Sequence, residues 1–168
     1  MRDMRTSRRN LLVTTAAAAL FGTKAEAIDS RQPAPRFQAK SLDGDKYSND
    51  SLMGKPVLLQ FWATWCGYCR RDQDLVDEIT KEFAAKGLVV LAVNVGESRR
   101  KVQQYLDSNP RACKIVLTED TNLAAVWSAR AFPFYVAIDR AGKFAGTQEG
   151  SSEAGLRRLL GKIGLDSE

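Results

Sequence analysis

Short apolar runs alternate with helical stripes along most of the chain. Residues 56–62 (PVLLQFW) and 88–93 (LVVLAV) are continuous apolar runs bounded by turn residues, the pattern of strands buried on both faces of a sheet. Between them Leu75, Val76, Ile79 and Phe83 recur at helical spacing and predict one helix over 66–85, ended by Gly87. Downstream the pattern predicts a helix over 98–108, a strand over 113–117, a helix over 121–130, and a strand pair, 134–138 with 143–147. Leu156, Leu159, Leu160 and Ile163 give a closing helix one apolar face. Upstream, 37–42 and 46–48 read as a hairpin around Asp43-Gly44-Asp45, and the polar, Pro-containing 28–35 as a linker or extended arm. The order ββ-β-α-β-α-β-α-β-β-α specifies an α/β domain over 36–168, with a central mixed sheet flanked by helices.

The first 27 residues follow a different pattern. A polar, basic start leads into an apolar stretch from Leu11 to Phe21 and then Ala25-Glu26-Ala27, an A-x-A cleavage site. These are the three regions of an export signal cut after Ala27, and the stretch falls well short of the ~20 residues a membrane span needs. Ser7-Arg8-Arg9-Asn10-Leu11-Leu12 resembles a twin-arginine signal, with a general secretory signal as the alternative. Either delivers the protein to the periplasm, where thiols can be oxidised.

Charge and composition narrow the chemistry. Of the formal +5, residues 1–27 hold five basic and two acidic side chains, leaving 20 basic and 18 acidic on the other 141 residues. So balanced a body gives no support to a nucleic-acid surface. The absence of His excludes Ser-His-Asp and Cys-His nucleophiles and any His-ligated zinc.

Cys66-Gly67-Tyr68-Cys69 falls where a buried strand turns into a helix. Cysteines at i and i+3 on a first helical turn share a face and are close enough to bridge. Unpaired N–H groups and the dipole at that end favour thiolate over thiol, the condition for a nucleophilic Cys near neutral pH. Cys66 is expected to be the exposed attacker and Cys69 the buried resolving thiol. A zinc site would need a second pair, yet only Cys113 remains; haem attachment would need His where Arg70 stands; a structural bridge over so short a loop constrains little. Cys113 reads as a half-buried small hydrophobe, with an intermolecular disulfide or regulatory thiol as the alternative.

Residues 61–69 (FWATWCGYC) resemble the active-site motif of the thioredoxin superfamily. Asn94-Val95-Gly96-Glu97-Ser98 and Arg130-Ala131-Phe132-Pro133 extend the similarity to its TlpA/ResA-like branch of exported thiol–disulfide oxidoreductases, over about residues 33–163. The resemblance implies a thioredoxin fold with an N-terminal β-hairpin and a central βα insertion. It implies reduction of protein disulfides, with apocytochrome c as a candidate substrate in cytochrome c maturation. A membrane electron donor of the CcdA/DsbD type would restore the dithiol. It implies a monomer with no cofactor or metal beyond the redox-active pair. Residue by residue, it makes Cys66 the attacking thiol, Cys69 the resolving thiol and Pro133 a cis-proline facing the disulfide. Substrate would dock around Trp65, Gly67, Tyr68, Phe132 and Pro133. Glu97 and Asp72 match acidic positions near the pair, where a carboxylate can exchange a proton with Cys69.

Three departures from that pattern stand out. Gln60 occupies the place of thioredoxin's buried Asp. Tyr68 replaces a common Pro, and a Gly-Tyr pair also occurs in disulfide isomerases, so an oxidase or isomerase is the alternative direction. Asp74 replaces a Pro, which predicts an unkinked helix. A peroxidase would need Thr where Ala63 stands, and a Cu(I) chaperone would rest on the two thiolates alone.

Overall fold

The computed structural model describes residues 32–166, so the export signal and the first part of the arm lie outside the described residues. The two continuous apolar runs become β3 (Val57–Trp62) and β4 (Val89–Asn94), paired in parallel at the centre of a seven-stranded sheet. Parallel to β4 lies β5 (Lys114–Thr121). On the other side of β3, β6 (Phe134–Ile138) runs antiparallel and turns back into β7 (Phe144–Glu149). The predicted hairpin is β1 (Gln38–Ser41) with β2 (Lys46–Ser48), and β1 joins the sheet antiparallel to β5. The resulting order is β2-β1-β5-β4-β3-β6-β7, the expected mixed sheet.

Alternation along β3 divides the core. Leu58, Gln60 and Trp62 face one side and Val57, Leu59 and Phe61 the other. The first side is closed by α2 (Gln73–Glu82), α3 (Arg99–Ser108) and α5 (Glu153–Gly161) through Val76, Ile79, Val102, Leu156 and Leu160. The second is closed by α4 (Leu123–Val126) and the N-terminal segment, through Leu123, Ala34, Phe37 and Leu52. Residues 32–35 lie against the start of β7: the Ala34 N–H donates to Gly142 O at 2.9 Å and Pro33 pairs with Lys143. The central insertion is α3 with β5, and it carries the sheet outward to the hairpin.

Three expectations need correction. The helix predicted over 66–85 is two helices, α1 (Gly67–Arg71) and α2, broken at Asp72. The interruption is local: Asp72 keeps right-handed helical backbone angles (φ −81°, ψ −6°), its N–H bonds Tyr68 O, and its O accepts the Val76 N–H, while its buried carboxylate is tied to hydroxyls on Tyr135 and Ser151. The second helix also ends at Glu82 rather than 85: Leu88 N–H bonds to Phe83 O, and Gly87 takes the positive φ (+80°) that the turn requires. The helix predicted over 121–130 shrinks to the single turn α4: β5 runs on to Thr121, which pairs with Ala39 of β1, and the helix stops at Trp127, where Ser128 takes a positive φ (+49°).

Gly146 shows how closely α5 is set against the sheet. It lies at the irregularity between β6 and β7 with φ +152°, and a Cβ would come within 3.3 Å of Leu159 and 3.1 Å of Lys162. Gly146→Ala is expected to destabilise the fold by about 1–3 kcal/mol, read as a lower urea midpoint with an unchanged slope.

Candidate active site

β3 delivers the chain to the sheet's end, and residues 63–65 turn it into α1. Cys66 is the N-cap of α1, with extended backbone (φ −77°, ψ 106°), and its Sγ accepts the Cys69 N–H at 3.1 Å. An N-cap side chain normally accepts with oxygen; here the acceptor is the sulfur that must carry negative charge once reduced. Cys66 and Cys69 are joined as a disulfide with Cα atoms 5.2 Å apart. Cys69 is buried as expected. Cys66, expected to be exposed, is only 5 % exposed, because the solvent-facing positions beside it belong to Trp65 and Tyr68.

Trp65 (64 % exposed) and Tyr68 (59 % exposed) stand out from the rim, with Gly67 exposed between them. The Phe132 ring meets Trp65 edge-on at 6.0 Å, so the loop before β6 and the loop after β3 are in contact. The Phe132–Pro133 peptide bond is cis. Pro133 O is occupied by Gly150 N–H at 2.9 Å. The Arg71 guanidinium lies 4.3 Å from the Tyr68 ring centroid.

The two acids have different surroundings. Both Glu97 oxygens are taken: Oε1 by the Thr64 hydroxyl (2.6 Å) and Lys101 (2.7 Å), Oε2 by the Thr64 N–H (2.6 Å) and Asn94 (2.8 Å). Burial alone would raise the Glu97 carboxyl, but these hydrogen bonds outweigh it and hold it down to about 2. Glu97 is therefore an ionised anchor for the loop that presents Cys66. Asp72 lies one helical turn beyond Cys69 and is buried, its Oδ2 accepting from the Tyr135 hydroxyl at 2.8 Å and its Oδ1 from the Ser151 hydroxyl. Burial, and then the negative Asp72 beside it, pushes the Tyr135 hydroxyl far above its ordinary range, so Tyr135 remains a donor.

Gln60 is fully buried and turns its amide to Tyr135 and Arg111. Cys113 is buried immediately before β5, and burial pushes its thiol up to about 11, which keeps it protonated at neutral pH. Thr64, Asn94, Lys101, Tyr135, Ser151 and Arg111 went unrecognised in the sequence as parts of this site. Asn94 and Lys101 are local to Glu97, three residues before it and four after; the others meet only through sheet pairing and long-range packing.

The lowered Glu97 value has a defined pH consequence. A carboxyl held below its ordinary 4.5 stabilises the fold fully above that pH, and the contribution is lost as pH falls through about 2. Glu97→Gln is expected to cost about 2 kcal/mol at pH 7, allowing for solvent screening at the exposed Lys101, and to flatten the loss between pH 4.5 and 2. Urea unfolding of both proteins across that range checks it.

The comparisons agree with this geometry. The Redoxin family model matches residues 29–160. The thioredoxin-like protein YneN of Bacillus subtilis is 33 % identical over 125 residues, covering 73 % of this chain and 72 % of YneN. Thiol-disulfide oxidoreductase ResA of the same organism is 31 % identical over 125 residues, covering 74 % of this chain and 69 % of ResA. In structure the chain is similar to a thiol:disulfide interchange protein of the thioredoxin family from Chlorobium tepidum, with a TM-score of 0.68 and 25 % identity over 82 % of this chain and 99 % of that one. With the sheet order, the capped cysteine pair and these matches together, the chain belongs to the Redoxin family and is a thiol–disulfide oxidoreductase of thioredoxin fold, with Cys66 and Cys69 as its CxxC pair.

Proposed function

We propose that the protein is exported and reduces disulfides of other proteins outside the cytoplasm. The observation that carries the exchange chemistry is the Cys66 sulfur at the helix N-cap, accepting the Cys69 amide, with Cys69 buried behind it; export rests on the pattern of residues 1–27 and the reducing direction on the three-motif resemblance. Cys66 thiolate attacks a substrate disulfide and forms a mixed disulfide. Cys69 then displaces the substrate thiol, leaving Cys66–Cys69 oxidised. Asp72, buried one turn from Cys69, takes the proton that Cys69 must lose. Glu97 keeps its charge throughout and holds the Thr64 turn. Substrate lies across Trp65, Gly67, Tyr68, Phe132 and Pro133, an apolar rim beside the disulfide.

Several parts of this reading come from the resemblance of the three motifs. These are apocytochrome c as substrate, a CcdA/DsbD-type membrane donor, and turnover with no cofactor but the cysteine pair itself; action as a monomer is part of the same proposal. Cleavage after Ala27 and a periplasmic location follow from the pattern of residues 1–27. The opposite direction, oxidation or isomerisation, has one observation in its favour: Tyr68 replaces the common Pro and stacks with the Arg71 cation beside the disulfide.

The reduction potential decides between them. With the protein equilibrated in thiol/disulfide buffers and followed by Trp65 fluorescence, a reductase is expected near the roughly −270 mV of thioredoxin. A value near the roughly −120 mV of a strong oxidant contradicts reduction and makes the enzyme an oxidase or isomerase.

A further inference from the structure

Beneath the cysteine pair a chain of hydrogen bonds crosses the core. Arg111 donates to Gln60 Oε1 at 3.4 Å, Gln60 Nε2 donates to the Tyr135 hydroxyl at 3.3 Å, and Tyr135 donates to Asp72 Oδ2 at 2.8 Å. The direction of the chain is dictated at one end. Arg has donors and no acceptor, so Gln60 must turn its oxygen to Arg111 and its NH2 to Tyr135. Receiving that donor, the Tyr135 oxygen commits its single hydrogen to Asp72. Arg111 cannot turn away: its side chain is 2 % exposed, its Nε donates to both oxygens of Asp77 (3.0 and 3.2 Å), and it lies 5.9 Å from the Trp62 ring.

This polarity selects an oxygen. A carboxyl oxygen that carries a proton is a poor acceptor, so Oδ2, held by Tyr135, is the wrong place for one. Oδ1 accepts from the Ser151 hydroxyl, and a serine hydroxyl can rotate to accept in return, so the proton goes to Oδ1. Asp72 and Ser151 line an open groove of about 440 Å³ together with Tyr68, Arg71, Ser152 and Glu153. The charged and titratable groups around Asp72 are thus Tyr68, Cys69 and Arg71 on α1, Tyr135 on β6, Glu153 at the start of α5, and the Arg111–Asp77 pair reached through Gln60.

We infer that Arg111 is a positioning residue for the resolving step: acting through Gln60 and Tyr135, it directs the Cys69 proton to Asp72 Oδ1 and out through Ser151 to the groove. This rests on the proposed role of Asp72 as proton acceptor. The step balances as follows. Cys69 Sγ–H gives its proton to Asp72. The Cys69 thiolate attacks Cys66 Sγ, the Cys66–Cys69 bond forms, and the Cys66–substrate bond breaks with its electron pair leaving on the substrate sulfur. Asp72 then passes the proton to Ser151 Oγ as Ser151 gives its own to water.

The test is rapid mixing of the fully reduced protein, in a Cys113→Ala background, with a chromogenic aromatic disulfide. The first coloured thiolate reports attack by Cys66 and the second reports resolution by Cys69. Arg111→Met and Gln60→Met are expected to move the acid limb of the second phase up by about one pH unit, about tenfold in rate on that limb, with the first phase unchanged. Arg111→Lys, which also only donates, is expected to restore it. Ser151→Ala is expected to shift the same limb in the same direction. A folded Gln60→Met or Arg111→Met protein whose second phase keeps its limb overturns the inference, as does an equal shift of both phases. Asp72→Asn is expected to abolish the limb, and a limb that survives it overturns the role of Asp72 itself rather than that of Arg111.

Discussion

The hydrogen bond from the Cys69 amide to Cys66 Sγ joins the fold to its chemistry. It exists because β3 stops one short turn before α1 begins, which leaves Cys66 in the N-cap position with its side chain turned back onto the first helical turn. An N–H group that has no partner within the helix is supplied with one, and that partner is the sulfur needed as a thiolate. The same placement brings the i+3 thiol into reach, so nucleophile, resolving thiol and stabilising donor come from four consecutive residues.

Everything around the pair holds that turn in place from a different direction. Glu97 grips Thr64 from the end of β4, drawing on Asn94 and Lys101 to keep its charge. Phe132 meets Trp65 from the loop before β6. From below, Asp72 ties the break between α1 and α2 to Tyr135 and Ser151. Four segments distant in sequence thereby converge on a few residues, which a helix N-terminus alone would not hold in register. The exposed surface left over is aromatic, Trp65 and Tyr68 above all, while the sulfurs themselves are covered.

Much of this was legible in the sequence where the signal was local. The continuous runs of β3 and β4 and the stripe of α2 read directly from their periodicity, and the CxxC pair identified itself by position at a strand-to-helix junction. What depended on long-range partners did not. The partners of the Asp72 carboxylate, the hydroxyls of Tyr135 and Ser151, lie 63 and 79 residues away. The helix expected over 121–130 is cut at its start by the pairing of Thr121 with β1 and at its end by the positive φ of Ser128, neither of which its apolar pattern announces. Cys66 was expected to be exposed because attack requires access, but a bulky Trp on one side and a Tyr two residues on take that surface. Gln60 was visible as a departure from thioredoxin's buried Asp, yet its meaning came only with Arg111, which the sequence places 51 residues later.

The central claim is that the N-cap geometry makes Cys66 a thiolate near neutral pH. The most direct measurement is the thiolate absorbance of Cys66 titrated in a Cys69→Ala variant, where Cys113, at about 11, does not interfere. The account predicts a midpoint at least one pH unit below the roughly 8.5 of a free cysteine. A midpoint at or above about 8.5 would contradict it, and would mean that the helix terminus does not activate this thiol.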